Sequence, residues 1–242
     1  MGIALVAVPA FAQTYGKVTS RTTLAGTDYI DWGQRARNSA VPDGTDFTSA
    51  VFGIEGEVSF ADGPGRRLDA GLDRFGGFLP NEALLWTQGG GPLTIIFSDL
   101  GVNGVYGVGS QVWFNYPPVR ETSIDLLGEG GSVLANFTYS TGGGFDFDNG
   151  QASFIGGTSS NGNIKGIRFN NAGNGIEKGD FAINKLSLKI RGVDGGNTEG
   201  GTNGGGNTGG GGQDAVPEPG EWAAMGILGL GLAGLVIRKR RA

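Results

Sequence analysis

The chain has 242 residues, 50 of them glycine, and a formal net charge of −5 at pH 7. Histidine and cysteine are both absent, which excludes disulfides, Ser-His-Asp and Cys-His catalysis, the usual zinc sites and histidine-ligated haem. The negative charge disfavours nucleic-acid binding. Because histidine and cysteine are absent, carboxylate chemistry and oxygen-ligated metals are the chemistries that remain.

Residues 1–12 are predicted to be an export signal. The segment is apolar from Gly2 onward, and Ala10-Phe11-Ala12 before Gln13 fits the small-x-small pattern of signal-peptide cleavage. The usual cationic start is missing, so we expect the natural start to lie further upstream. The alternative is a buried N-terminal strand.

Residues 13–191 are predicted to form one all-β domain. Short apolar segments with a period of two are separated by clusters of Gly, Pro, Asn and Asp, about ten residues apart. This spacing indicates an antiparallel β-sandwich or jelly roll. The clearest strands cover residues 54–60, 93–98, 106–114, 119–127, 133–139, 167–169 and 181–190. A short helix is predicted around residues 82–85, after Pro80-Asn81.

The last predicted strand contains a conflict of register. Phe181 and Ile183 share one phase, whereas Leu186, Leu188 and Ile190 share the other. Because side chains alternate strictly along a strand, one face cannot bury both sets. We therefore predict a β-bulge or break at Asn184-Lys185, with all five apolar side chains in the core. The alternative is an unbroken strand that is covered on both faces.

Two acidic motifs are candidate sites. Glu55 and Glu57 lie on one face of a strand, opposite Val58, which favours a solvated face over a catalytic pair. Asp146-Phe147-Asp148-Asn149-Gly150 has oxygen ligands at alternate positions, so Asp146 and Asp148 are candidate ligands of a structural Ca²⁺. The alternative for the second motif is a plain turn.

Aromatic side chains are candidate contacts for sugar rings, whose C–H faces stack on aromatic planes. Trp113 is the best candidate because it is out of phase with Val112 and Phe114, and Tyr116 lies close by in sequence. Other aromatic candidates are Trp32, Trp86 and Tyr29. Packing within the domain is the alternative for all of them.

Residues 192–215 are predicted to be a disordered linker. The segment consists mostly of Gly, Asn and Thr and contains too few apolar side chains for a core. A flexible linker of this length reaches about 27 Å on average. That reach holds a domain clear of a membrane surface.

The last 27 residues, 216–242, combine three elements. Val216-Pro217-Glu218-Pro219 is held extended by its prolines, residues 222–237 are uncharged, and Arg238-Lys239-Arg240-Arg241 follows. In a bilayer the uncharged run must be a helix, of about 24 Å, and the four cations stay on the cytoplasmic side. We predict a single transmembrane helix at residues 222–237 with residues 13–215 outside.

This tail resembles the PEP-CTERM sorting signal of exported bacterial proteins. The resemblance implies cleavage near Pro-Glu-Pro by an exosortase, a membrane transpeptidase, and association with extracellular polysaccharide. The alternative is a C-terminal anchor that is never cut. Residues 93–99, 104–109, 152–156 and 180–188 resemble the β-sandwich ectodomains of such proteins, which implies a jelly-roll fold and carbohydrate binding. Lys185 stands where those families often have an acidic residue, so no metal role is carried over to that turn.

These observations predict an exported, membrane-tethered or surface-released protein of the envelope or matrix, with a structural or glycan-contacting role and no enzymatic activity. One alternative is a carbohydrate-active enzyme, which needs two carboxylates roughly 5–9.5 Å apart in a cleft. Another is an anchored subunit of a surface assembly, which a large exposed apolar patch would favour.

Overall fold

The computed structural model describes residues 12–71, 77–100, 104–114, 121–140, 152–171 and 179–191, which all belong to the unit Met1–Gly196. Within these ranges the chain forms one short helix, α1 (Arg21–Leu24), and two 3₁₀ turns, Trp32–Gln34 and Glu129–Gly131. All other regular elements are strands: β1 (Tyr15–Val18), β2 (Asp28–Ile30), β3 (Ala40–Val41), β4 (Thr45–Thr48), β5 (Glu55–Phe60), β6 (Gly65–Asp69), β7 (Ala83–Trp86), β8 (Leu93–Ser98), β9 (Val105–Phe114), β10 (Glu121–Leu127), β11 (Val133–Ser140), β12 (Ser153–Ser159), β13 (Gly166–Asn171), β14 (Phe181–Ile183) and β15 (Leu186–Ile190).

The strands form two antiparallel sheets. Sheet A has the order β1-β12-β9-β14-β7-β6-β3, with β15 also beside β9 and β2 beside β15. Sheet B has the order β11-β10-β13-β8-β5-β4. Buried apolar side chains of both sheets form one shared core, among them Val58, Leu93, Val108, Ile124, Ile183 and Leu188. The all-β, antiparallel prediction is confirmed and is consistent with a sandwich, whereas the jelly-roll arrangement stays a prediction.

The predicted break at Asn184-Lys185 is confirmed. Strand β14 ends at Ile183 and β15 begins at Leu186, and both pair with β9. Ile183 is opposite Val112, and Ser187 is opposite Gly109. From Ile183 to Ser187 the chain advances four residues, whereas β9 advances only three between the two paired positions. This extra residue restores the register, because the apolar side chains of both strands then reach one core: Phe181, Ile183, Leu186, Leu188 and Ile190. The unbroken-strand alternative is wrong.

Sheet A divides at this break. On the side away from β9, strand β14 pairs with β7, whereas β15 pairs with β2. The buried Asn184 satisfies the polar groups at the division. Its Nδ2 donates to Gln111 Oε1 at 2.6 Å and to Glu82 Oε1 at 3.2 Å. Its backbone carbonyl accepts from Trp32 Nε1 at 2.7 Å. The break is therefore a hydrogen-bonded structure and not a gap in the sheet.

Two details of the sequence prediction are wrong. Residues 83–86 form strand β7 and not a helix, because Leu85 packs into the shared core while Leu84 packs into a cluster on the other face of sheet A. This burial on both faces removes the alternation that marks a strand. The sequence also places Tyr106 in the same strand phase as Val108, Val112 and Phe114. In the structure, a register irregularity of β9 opposite Lys189 and Ile190 places Val105, and not Tyr106, in the shared core.

The predicted export signal, linker and tail lie outside the described residues, apart from Ala12 at the end of the signal. Among the residues that the structure describes, no helix is long and apolar enough to cross a membrane.

Candidate functional site

Four residues of neighbouring strands lie side by side on the outer face of sheet A. Arg66 of β6 is opposite Trp86 of β7, Trp86 is opposite Ala182 of β14, and Ala182 is opposite Trp113 of β9. Directly opposite residues of paired strands project from the same face of a sheet. We call the set Arg66, Trp86, Ala182 and Trp113 the tryptophan row.

The predicted outward orientation of Trp113 is confirmed. Val112 and Phe114 contribute to the shared core, whereas the partly buried Trp113 packs against a separate cluster that includes Ala152 and Ala182. Its indole lies against Gly77, where an added Cβ would come within 2.1 Å of Trp113 Cε3. A glycine at position 77 is therefore required for this indole position.

Trp86 is the second aromatic side chain of the row. Its indole Nε1 donates to the carboxylate of Asp180, which holds the ring in one orientation. It packs on the same outer cluster as Trp113, whose buried members are Leu68, Ala70, Phe78, Leu84, Ala152 and Ala182. The small Ala182, fully buried, separates the two tryptophans, whose strands are two spacings, or about 10 Å, apart. The row thus places two aromatic side chains on one face of sheet A.

The other aromatic candidates are structural or lie elsewhere. Trp32 is fully buried and contacts Phe47 edge to face, with ring centroids 4.9 Å apart. The ammonium of Lys185 lies 4.2 Å from the ring centroid of Tyr29. Tyr116 lies outside the described residues, as do the candidate calcium ligands Asp146 and Asp148. In the ranges that the structure describes, no cluster of three or more acidic side chains could hold a metal ion.

Glu55 and Glu57 lie on the outer face of sheet B, as the solvated-face interpretation predicted. Gly56 and Val58 between and beside them are buried, whereas Glu57 is exposed and Glu55 partly exposed. Their strand neighbour Ser98 is 3.5 Å from the Glu55 carboxylate. Neither carboxylate lines the cleft at the end of sheet B that is described below.

An ion pair braces the same outer face of sheet B. Asp125 Oδ2 accepts from Arg168 Nε at 2.9 Å and from Asn170 Nδ2 at 2.9 Å, and Asp125 Oδ1 accepts from Asn136 Nδ2 at 2.6 Å. Burial alone raises the pKa of this carboxyl, but the hydrogen bonds from Asn136, Asn170 and Arg168 outweigh burial and lower it. Asp125 is therefore a satisfied anion that joins β10, β11 and β13.

A cleft of about 620 Å³ at the end of sheet B is lined by two other carboxylate side chains, Asp99 and Glu129. Lys165 and the apolar residues Ile96 and Leu100 also line it. Sequence reasoning missed this cleft, because its residues follow strands that are distant in sequence and only the sheet order places them together. Arg66 was missed for the same reason.

Comparisons with known proteins identify the end of the chain. Residues 215–241 match the family model described as the PEP-CTERM protein-sorting motif. No curated protein and no solved structure matches the chain. This motif indicates export and sorting to the cell envelope or surface by an exosortase-type system. The chain therefore combines a PEP-CTERM sorting motif at residues 215–241 with an antiparallel β domain.

Proposed function

We propose that this protein contacts extracellular glycans through the tryptophan row and acts as a non-enzymatic component of the envelope or matrix. The observation that carries the proposal is the placement of Trp86 and Trp113 on either side of Ala182, on the outer face of sheet A. Flat indole rings offer large, rigid contact areas with little loss of conformational entropy.

The surroundings of the row support this role. Both indoles are partly buried against the outer cluster, and part of each residue stays accessible. Gly77 fixes the position of Trp113 and Asp180 fixes that of Trp86. Preorganised side chains on strands bind with a smaller entropic penalty than side chains on loops. A spacing of about 10 Å between the two strands suits a saccharide chain better than a single ring.

Sorting supplies the location at which the row would act. In this proposal the uncharged residues 222–237 cross the inner membrane once, Arg238 to Arg241 stay cytoplasmic, and the exosortase cuts near Pro217-Glu218-Pro219. Mass spectrometry of surface-released protein should then find no peptide from residues 222–242. An intact C-terminus there would instead indicate a plain anchor.

Glycan binding is tested with the purified full-length protein in affinity electrophoresis against a panel of matrix polysaccharides. Trp113→Ala and Trp86→Ala should each weaken binding by about tenfold, as for loss of an aromatic anchor. Tyr106→Ala is the matched control, because Tyr106 is a partly buried aromatic on β9, roughly 23 Å along the strand from Trp113. Equal affinities for the wild type and both tryptophan variants would contradict the proposal.

The cleft at the end of sheet B favours a second candidate function. A carbohydrate-active enzyme needs two carboxyl groups in a concavity, and Asp99 and Glu129 share one. Asp99→Asn and Glu129→Gln should each abolish release of reducing sugars if this candidate is right, while Glu57→Gln on the outer face of sheet B should have no effect. Absence of any release by the wild type across the panel rejects it.

A further inference from the structure

We propose that the tryptophan row selects acidic polysaccharides, and that Arg66 pairs with the carboxylate of a uronic acid unit. This inference rests on the proposed function and adds the class of glycan to it. The row ends at Arg66, whose strand neighbours on either side are Ala40 and Trp86. Neither neighbour can neutralise a guanidinium.

The guanidinium of Arg66 has an unmet donor. Its Nε is buried and has no hydrogen-bond partner among the residues that the structure describes, and the same holds for the Nε atoms of Arg21 and Arg67. Unlike Arg67, Arg66 has no ion pair within the described ranges, and its side chain is only partly buried. An anion from outside would therefore meet the guanidinium at its terminal N–H groups and not at Nε.

Comparable arginines of the sheets are neutralised within the protein. Arg67 Nη1 lies 2.5 Å from an Asp69 carboxylate oxygen, and Arg168 Nη2 lies 2.5 Å from Asp125 Oδ2. Arg66 shares strand β6 with Arg67 but projects to the opposite face, the face of Leu68 and the outer cluster. Arg66, which stands beside the tryptophans, has no such carboxylate partner among the described residues.

Asp180, an acidic side chain that is hydrogen-bonded to the row, lies on the other side of Trp86 from Arg66. Asp180 leads into β14 and accepts from the Trp86 indole, whereas Arg66 belongs to β6. Strand β7, which carries Trp86, lies between β6 and β14. Asp180 thus positions the ring, and Arg66 remains available to an anion from outside.

The geometry of the guanidinium favours a carboxylate as the anion. Its planar fork of N–H donors matches the two oxygens of a carboxylate, and bidentate pairs are stronger and more specific than single hydrogen bonds. A saccharide ring that stacks on Trp86 and carries a carboxylate would engage both side chains at once. Uronic acid polymers combine these two features in every unit.

The experiment compares polygalacturonate with its methyl ester, which keeps the sugar ring and removes the charge. The full-length wild type should bind polygalacturonate about tenfold more tightly than the ester at low salt. The preference should shrink at about 0.5 M salt, where screening is strong. Arg66→Gln should lose the preference but keep the affinity for the ester, and Arg66→Lys should keep part of it.

Lys189→Gln is the charge-matched control, because Lys189 is paired with Gly107, six residues from Trp113 along β9. It should leave the preference for polygalacturonate over its ester intact, with melting temperatures confirming that all variants fold.

Equal wild-type affinity for polygalacturonate and its ester overturns the inference and leaves the proposed function standing. The same holds if Lys189→Gln loses the preference as fully as Arg66→Gln does. Failure to bind any glycan of the panel overturns the proposed function itself. Stronger binding to a sulfated glycan than to polygalacturonate overturns the carboxylate assignment.

Discussion

The hydroxyl of Tyr139 in sheet B is hydrogen-bonded to both backbone groups of Gly156 in sheet A. It donates to the Gly156 carbonyl and accepts from the Gly156 amide at 3.1 Å. The side chain is buried in the shared core, so this single residue ties β11 to β12 across the domain. Burial raises the pKa of Tyr139 from 10.0 to about 12, although its hydrogen bond to Gly156 acts in the opposite direction.

This raised pKa predicts an alkaline loss of stability. In the unfolded chain Tyr139 loses its proton near pH 10, whereas in the folded protein the proton is retained to about pH 12. The folded state therefore binds more protons in this window, and the free energy of unfolding falls as the pH rises. The full contribution, on the order of 2–3 kcal/mol, is present below pH 10 and disappears above pH 12.

Tyr139→Phe tests this prediction, since it removes the ionisable hydroxyl and keeps the ring. At pH 8 it should lower the free energy of unfolding by about 1–3 kcal/mol, because both Gly156 groups lose a partner. Urea unfolding between pH 8 and 11.5 should show a smaller pH slope in the variant. Tyr106→Phe serves as the control for the ionisation of the other tyrosines. If the free energy of unfolding falls with pH equally steeply in the wild type and in Tyr139→Phe, Tyr139 is not the group responsible.

The Asp125 ion pair predicts the opposite dependence at acid pH. Because the folded-state pKa lies below the ordinary value of 3.8, the stabilisation is present above pH 4 and is lost as the pH falls through the folded-state pKa. Asp125→Asn should destabilise the protein by about 1–3 kcal/mol at pH 7, with a difference that narrows below pH 4. Chemical unfolding at pH 7, 4 and 3 measures this, and a constant difference would show that packing alone is responsible.

Asn184 is predicted to be among the least replaceable polar residues of the described domain. Asn184→Ala removes one hydrogen-bond partner, now 2.6–3.2 Å away, from each of Glu82, Gln111 and the Arg21 guanidinium. We expect a loss of about 2–4 kcal/mol in the free energy of unfolding, measured in urea. Asn184→Asp should be worse than Asn184→Ala, since it places a second carboxylate beside Glu82. A milder effect of the aspartate would refute this account of the network.

The sequence was sufficient for some features and insufficient for others, for physical reasons. The break near Asn184 was predictable, because strict alternation makes a two-phase strand inconsistent with one core. Strand β7 was not, because Leu84 and Leu85 are both buried on a sheet that is covered locally on both faces. The local pattern of apolar and polar residues does not show whether other parts of the chain bury both faces of a strand.

The candidate site shows the same limit. The phase of Trp113 indicated its outward position, but the neighbours of Trp113 come from strands about 30 and 70 residues away along the chain. The place of Arg66 and Trp86 beside it depends on sheet order, which the two-residue period does not encode. The tail was readable without any structure, because its signal is a local order of proline, apolar and basic residues.

The last prediction links packing to binding through Gly77. An added Cβ at this position would lie 2.1 Å from Cε3 and 2.4 Å from Cδ2 of Trp113, distances that real Cβ atoms do not adopt. The contact is with the rigid body of the indole, so Gly77→Ala must turn the ring or shift the segment. The Gly77 carbonyl accepts from the Ala152 amide at 2.7 Å, which opposes a shift of the segment. We therefore expect the indole to turn away from its position in the row.

Gly77→Ala should weaken glycan binding about as much as Trp113→Ala, roughly tenfold, while lowering stability by only about 1–3 kcal/mol. Affinity electrophoresis and tryptophan fluorescence of the full-length protein measure the two effects. Gly16→Ala is the matched control, because its added Cβ meets a single side-chain hydroxyl of Thr158 at 2.8 Å and no aromatic ring. If Gly77→Ala is folded, shows an altered Trp113 environment and still binds with wild-type affinity, the position of this indole does not matter for binding, and the tryptophan row is not the glycan contact.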